Sequence, residues 1–440
     1  MYTMRSTLKT GIVLLFCIIA ALHASPAAAQ TEPFDIFVNS TEDIDDPSPG
    51  DGICNVTLLI NKCTLRAAIT TANAYNGDSD LVYIHVAPGI YTLTIPGEGE
   101  NLNSSGDLDV SPKYRDIVIE GDDPGNPSVI NGNHLDRVFD ISGNTYIELR
   151  YLVIRNGQIN NLNEYAGVGG GIKNSSDHLT LNNVVVESNL VTCSPQNGSC
   201  QGAVGGGIIN FGLLKIFNST IRDNYAYRGG GIFNAGGASE IEIWNSTISG
   251  NGAYAVGAIN AYSPILLINS TISGNVDTAS TGGVFMADAL LKMANVTLAG
   301  NRTVTGPASN LFTNYTSVLR NSIIADPGAG KLNCNILAST VTTQGINLSS
   351  DSSCKLNPGS DIIGQDPRLS VLANWGGSTW TRGLLLGSPA INAGDPSGCK
   401  EFNNYLLTSD QRGVFRPVNG CDIGAFEGVL FPTFLPLIQR

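Results

Sequence analysis

Charge is scarce in this 440-residue chain: Asp, Glu, Lys and Arg make up 14% of it, with 37 acidic residues against 24 basic ones, a net −13. That balance excludes nucleic acid or another polyanion as an electrostatic partner. Histidine numbers four, and no Cys-x-x-Cys occurs, so no cluster of soft metal donors is spelled out. GxGxxG is missing and no Lys-Ser/Thr follows the Gly-Gly-Gly runs, which removes phosphate-cradling loops. No Gly-x-Ser-x-Gly elbow surrounds a serine. Beyond the N-terminal apolar run at 11–22, nothing is long enough to span a bilayer as a helix.

What is abundant is glycine, 51 residues, and a segment that repeats itself. NSTIRDN (218–224), NSTISGN (245–251), NSTISGN (269–275) and NVTLAGN (295–301) are near copies, flanked by NVVVESN at 183 and NSIIAD at 321. The leading asparagines are Asn183, Asn218, Asn245, Asn269, Asn295 and Asn321, which recur at a near-constant step after one longer first interval. A second series keeps step: GGGIKN at 169, GGGIIN at 205, GGGIFN at 229, GAIN at 257 and GGVF at 282. Repeats of this length are single supersecondary units stacked on their neighbours. The runs inside them are short and β-branched, each with room for two or three strands of about 4–5 residues. A propeller blade needs about 40–45 residues, and the regular Leu spacing of a leucine-rich repeat is missing. The expectation is an all-β fold: a right-handed parallel β-helix with an N-terminal capping helix and a small C-terminal domain.

Every coil must turn sharply, and Asn and Gly tolerate the positive φ that such turns need. Stacked coils would place each leading Asn over the last, so a hydrogen-bonded amide ladder of Asn183, Asn218, Asn245, Asn269, Asn295 and Asn321 is expected. The rival reading is glycosylation, since Asn218, Asn245, Asn269 and Asn295 each begin Asn-x-Ser/Thr.

The segment 1–29 reads as a signal peptide: Arg5 and Lys9, an apolar stretch at 11–22, then Ala27-Ala28-Ala29. Its removal takes the net charge to −15 and leaves eight of nine cysteines, suited to an oxidising compartment. Proximity along the chain pairs them as Cys54/Cys63, Cys193/Cys200, Cys334/Cys354 and Cys399/Cys421. A secreted or cell-surface monomer is expected.

The remaining organisation follows from composition and motif. Residues 30–79 read as a cap: a strand at 34–40, an acidic loop, and a helix capped by Thr64 with Leu65, Ala68, Ile69 and Ala72 on one face. Coils fill 80–365, with a protruding insertion at 192–200. A non-repeating piece occupies 366–428, and an apolar tail 429–440. Cys63-Thr64-Leu65-Arg66-Ala67-Ala68 resembles the string that names the CSLREA domain, with Ala67 in place of its Glu. LVYIHVAPGIYTL (81–93) is similar to the opening of a pectate-lyase-like β-helix. The paired GGGI and Ile221/Asn224, Ile248/Asn251, Ile272/Asn275 and Leu298/Asn301 resemble polymorphic membrane protein repeats. Asp366-Pro367, Asn374-Trp375-Gly376-Gly377, Asp410-Gln411-Arg412-Gly413 and Asp422-Ile423-Gly424-Ala425-Phe426-Glu427 resemble the choice-of-anchor Q domain. Those resemblances imply an exported surface protein.

β-helices of this kind also include polysaccharide-cleaving enzymes, so a catalytic site is sought. A hydrolase needs two carboxylates about 5–10 Å apart. A lyase needs Ca²⁺ ligands and an Arg or Lys base, recurring one coil apart on one face. The regular coils offer Asp223 and then Gly250, Gly274 and Gly300, so no carboxylate stack forms there. Asn-Thr-Asp, Gly-His-Gly and Arg-Ile-Lys are absent. The candidates left are Asp107, Asp109, Asp122, Asp123, Arg115 and Arg137 on the irregular coils. Asp43, Asp45, Asp46 and Asp51 are candidate Ca²⁺ ligands, and no other cofactor is implied. Asp410, Arg412, Arg416, Asp422 and Glu427 read as a structural ion-pair network. The two functions left are a non-enzymatic adhesin or rod binding an extracellular glycan or cell-envelope component, and a lyase or hydrolase of the pectate-lyase-like fold.

Overall fold

The structure is a computed structural model that describes residues 32–57, 61–97, 99–113, 115–160, 169–193, 200–237, 239–286, 288–337 and 340–431. The expected signal peptide, residues 194–199 of the insertion and the tail from 432 lie outside them. The chain winds as a right-handed parallel β-helix. Among the described residues its strands form sheets of 18, 11 and 6 strands, all paired in parallel, and one antiparallel hairpin at Leu369–Ala373 and Thr381–Leu384. A regular coil is Ile232–Asn234, Glu240–Trp244, Thr247–Ser249 and Gly252–Ala255. That is four strands rather than two or three, because the GGGI segment and the run after it lie in the same sheet on either side of a turn. Two long strands, Phe139–Arg150 and Ile172–Asn182, run straight through that turn.

Register follows the repeat. Ile172, Ile208, Ile232, Ile259 and Val284 are successive partners, as are Ile221, Ile248, Ile272 and Leu298. These side chains point inward and are buried in one continuous core. Stacking branched aliphatics on themselves is what a parallel ladder rewards, since each coil covers the last.

The leading asparagines occupy the left-handed turns expected of them, with φ of 46–56° at all six. The amide ladder, however, belongs to another series. A left-handed residue breaks the alternation of the strand, so the inward side chain is the one that closes the motif. Asn189, Asn224, Asn251, Asn275 and Asn301 bond Nδ2 to the next Oδ1 at 2.9–3.0 Å, all of them buried. Asn224, Asn251, Asn275 and Asn301 each also accept from the backbone N–H of the asparagine one coil earlier, and Asn189 Oδ1 accepts from Gly157 N–H. Asn310 and Asn333 carry the stack onward. The amides of the leading six do not bond to one another: Asn295 has neither amide atom partnered, and Asn269 and Asn321 turn to the C-terminal segment. The GGGI-x-Asn series makes a shorter stack, Asn174–Asn210–Asn234.

Helix α1, Leu65–Ala74, covers the N-terminal end. Thr64 caps it by accepting from Ala67 N–H, and Leu65, Ala68, Ile69 and Ala72 join the core. Ala67 is fully buried, which leaves no room for the Glu of the resembling string. All four expected disulfides form. The C-terminal segment, 366–431, folds back along the outside of the coils. Its ion pairs Arg412–Asp410 and Arg416–Glu427 (2.7 and 2.8 Å) are buried, as expected of a structural network. No helix among the described residues is long and apolar enough to cross a membrane.

Candidate functional site

The irregular coils do carry charge in register. Asp109, Asp140 and Lys173 are direct partners on three successive strands, their side chains on the outer face of the longest sheet. Lys173 Nζ lies 2.8 Å from Asp140 Oδ2. Asp107 and Arg137 close the group: Arg137 Nε donates to Asp107 Oδ2, and its terminal nitrogen stands 3.8 Å from Asp140. One carboxylate oxygen from each of Asp107, Asp109 and Asp140 lies within 4.8 Å of the others.

The group is shut in. Arg66 of α1 donates to the carbonyls of Asp107 (2.8 Å) and Gly106 (2.9 Å), and Asn73 donates to Asp109 O (2.7 Å). Asp107, Asp109, Arg137 and Asp140 are all buried. Burial therefore pushes the Asp109 carboxyl up to about 7, despite the Asn103 N–H it accepts. Burial also holds Asp107 well above the usual carboxylate range, against the pull of Arg137. The Arg137 guanidinium already stands between Asp107 and Asp140. The donor set has the spacing of a cation site and an internal cation in it.

The other candidates lie apart. Asp122 is exposed beside His85, 3.6 Å away, and Asp123 only closes a turn by accepting from Gly125 N–H. Arg115 pairs with Asp80 at the surface. The acidic loop is spent on docking α1. Asp43 grips Arg66 (2.6 Å) and accepts from Thr94 and Ile95, Asp45 accepts from Thr70, and Asp46 from Thr71. Asp51 accepts from Ile53 N–H. Protein donors thus engage each of the four expected Ca²⁺ ligands.

The aromatic stacks escape a sequence reading. Phe285 and Phe312, partners on adjacent coils, stack at 4.9 Å, with Tyr262 beside them and Arg228 over the Phe233 and Tyr262 rings. Around the corner Tyr227 stacks on Tyr254 at 4.7 Å, and Phe37 stacks on His85 at 4.5 Å. Between Tyr146, Glu148, His178 and Lys215 lies an open groove of 320 Å³. The signal was an outward position recurring at the coil period, but only the pairs Phe285/Phe312 and Tyr227/Tyr254 keep one residue type there, and neither runs beyond two coils.

No family model matches the chain, so neither the CSLREA nor the choice-of-anchor Q resemblance is borne out by one, and no curated protein matches either. The crystal structure of pectate lyase Pel9A is similar at 13% identity and a TM-score of 0.46, over 90% of this chain and 97% of that one.

Proposed function

We propose that the chain is an exported, non-enzymatic rod that binds an extracellular glycan or cell-envelope component. The observation that carries this reading is the closed state of the charged column. Arg137 sits where a cation would, and buried Asp107, Asp109 and Asp140 are out of reach of a polymer, while large aromatic side chains are presented outward in stacks. A ring at the end of a stack, such as exposed Tyr254 or Phe37, offers its free face to the C–H face of a sugar unit. Four disulfides fit an oxidising, extracellular setting. The test is a glycan array run on residues 30–440, beside assays for product release from pectin, alginate and chondroitin with and without Ca²⁺. Binding without turnover is expected.

One observation favours a second reading, a polysaccharide lyase: Asp109, Asp140 and Lys173 recur one coil apart on one face, the arrangement that lyase chemistry requires. Ca²⁺-dependent unsaturated product, lost on Asp140→Ala or Lys173→Ala, establishes that reading and removes the first.

A further inference from the structure

Two columns of polar side chains run along the outer face of the eleven-stranded sheet. Thr220, Thr247, Thr271 and Thr297 form one, and Arg222, Ser249 and Ser273 the other. The C-terminal segment lies over the later coils and consumes their hydroxyls. Thr247 donates to Trp380 O, Thr271 bonds Thr381 (2.8 Å) and Gln411 (2.6 Å), and Thr297 accepts from Ala425 N–H (3.0 Å). One coil toward the N-terminus this cover stops, and a cleft of 460 Å³ opens under its rim.

The cleft is built from unlike halves. Its wall is Trp380, whose indole is half exposed although its carbonyl is tied down by Thr247 and Gln411. Its floor is half-buried Thr220, with Ser249 and Ser273 buried at its base; the three hydroxyls make no hydrogen bond to any described residue, unlike those of Thr247 and Thr271 beside them. Gly250 and Gly274 hold left-handed turns at φ of 66° and 73° and keep the floor flat; the matching position one coil earlier is Asp223. Arg222 and Asp223 stand at the open end, and Arg222 is neutralised by Glu187.

The geometry points to this cleft as the binding site for a neutral pyranose unit of a glycan, a proposal that rests on the glycan-binding reading above. An indole face takes the C–H face of a pyranose, and unpaired hydroxyls opposite take its hydroxyl edge. Arg222 and Asp223 supply a charged donor and acceptor for the sugar at the rim. The volume falls within the range of small-ligand pockets, about 300–1,000 Å³. With Arg222 paired, Asp223 leaves the rim negative, which disfavours a uronate.

Calorimetric titration of residues 30–440 with cellotetraose, xylotetraose, mannotetraose, the N-acetylglucosamine tetramer and tetragalacturonate tests it. At least one neutral tetrasaccharide binds, and tetragalacturonate binds more weakly. Trp380→Ala and Ser249→Leu each weaken that binding by about tenfold or more. Melting of Trp380→Ala stays near the parent because the anchoring bonds use the Trp380 carbonyl. The proposal is overturned when no neutral tetrasaccharide binds at millimolar concentration, when tetragalacturonate binds best, or when both substitutions leave binding unchanged. Binding that survives both substitutions and disappears on Tyr254→Ala refutes this cleft and leaves glycan binding standing. A parent protein that binds nothing on the array takes both down.

Discussion

Replacing Asn251 with Ala separates the two asparagine series. Asn251 Oδ1 accepts from the backbone N–H and the Nδ2 of Asn224 (3.1 and 3.0 Å), and its Nδ2 donates to Ile221 O and Asn275 Oδ1 (3.0 and 2.9 Å). Truncation removes four hydrogen bonds and leaves groups on both neighbouring coils without partners in a fully buried place. At about 1 kcal/mol for each bond, with a further desolvation penalty for what is stranded, the cost is about 4–5 kcal/mol. Asn295 is the contrast. Its φ is 54° and its amide atoms are unpartnered, so Asn295→Gly keeps the turn and releases a buried polar group. That variant melts at or above the parent temperature. Thermal unfolding by circular dichroism, with hydrogen exchange over residues 221–275 to locate the loss, checks both. Equal melting of Asn251→Ala and the parent refutes the ladder, and a cost for Asn295→Gly matching that of Asn251→Ala refutes the division of labour.

Three further outcomes follow from the same geometry. Burial raises the Asp109 carboxyl to about 7, so its native state holds a proton that the unfolded chain gives up near pH 4. The stability it contributes is complete below pH 4 and lost as pH rises to about 7; Asp109→Asn flattens the fall in melting temperature over that window. Arg66→Ala leaves Asp43 and three carbonyls without their guanidinium, and destabilises the N-terminal end by about 3–5 kcal/mol, read as early exchange in α1. Peptide mapping without reduction recovers Cys54–Cys63, Cys193–Cys200, Cys334–Cys354 and Cys399–Cys421, and a link from Cys54 to any cysteine beyond 190 contradicts the cap.

The period alone was enough to read the winding of the chain, because residues one repeat apart must be partners once the coils are parallel. Thr64 and the apolar face of α1 were legible for the same reason: local spacing decides them. The facing of each asparagine was not. Parity along a strand is reset by each left-handed residue, so Asn245 and Asn251, at opposite ends of one motif, differ in orientation for a reason that lies in the turn. The charged column was hidden differently. Asp109, Asp140 and Lys173 are spaced more widely than the regular period, and only the long strands that cross the turn bring them together. Asp107, Asp109 and Arg137 were found as candidates by their place on irregular coils, whereas Asp122 and Asp123 shared that place and not the geometry. The cleft at Trp380 depends on bonds between segments distant in the chain, such as Thr247 to Trp380, which no local pattern encodes.

The fold-back of the C-terminal segment has a mechanical consequence. It grips the coils from the side, through Asn245 O, Thr247, Asn269, Thr271, Thr297, Arg320 and Asn321. A bare solenoid under tension peels one turn at a time from either end, each turn needing only its own contacts broken. Here the last turns are laced to a strap that itself lies across the direction of peeling, and those bonds must shear together. Pulled between its termini, the rod gives way from the N-terminal side, and the load stalls at the turn that carries Asn245. A force trace should show small early steps and then one tall rupture, with the strap setting how far the molecule can lengthen before it fails.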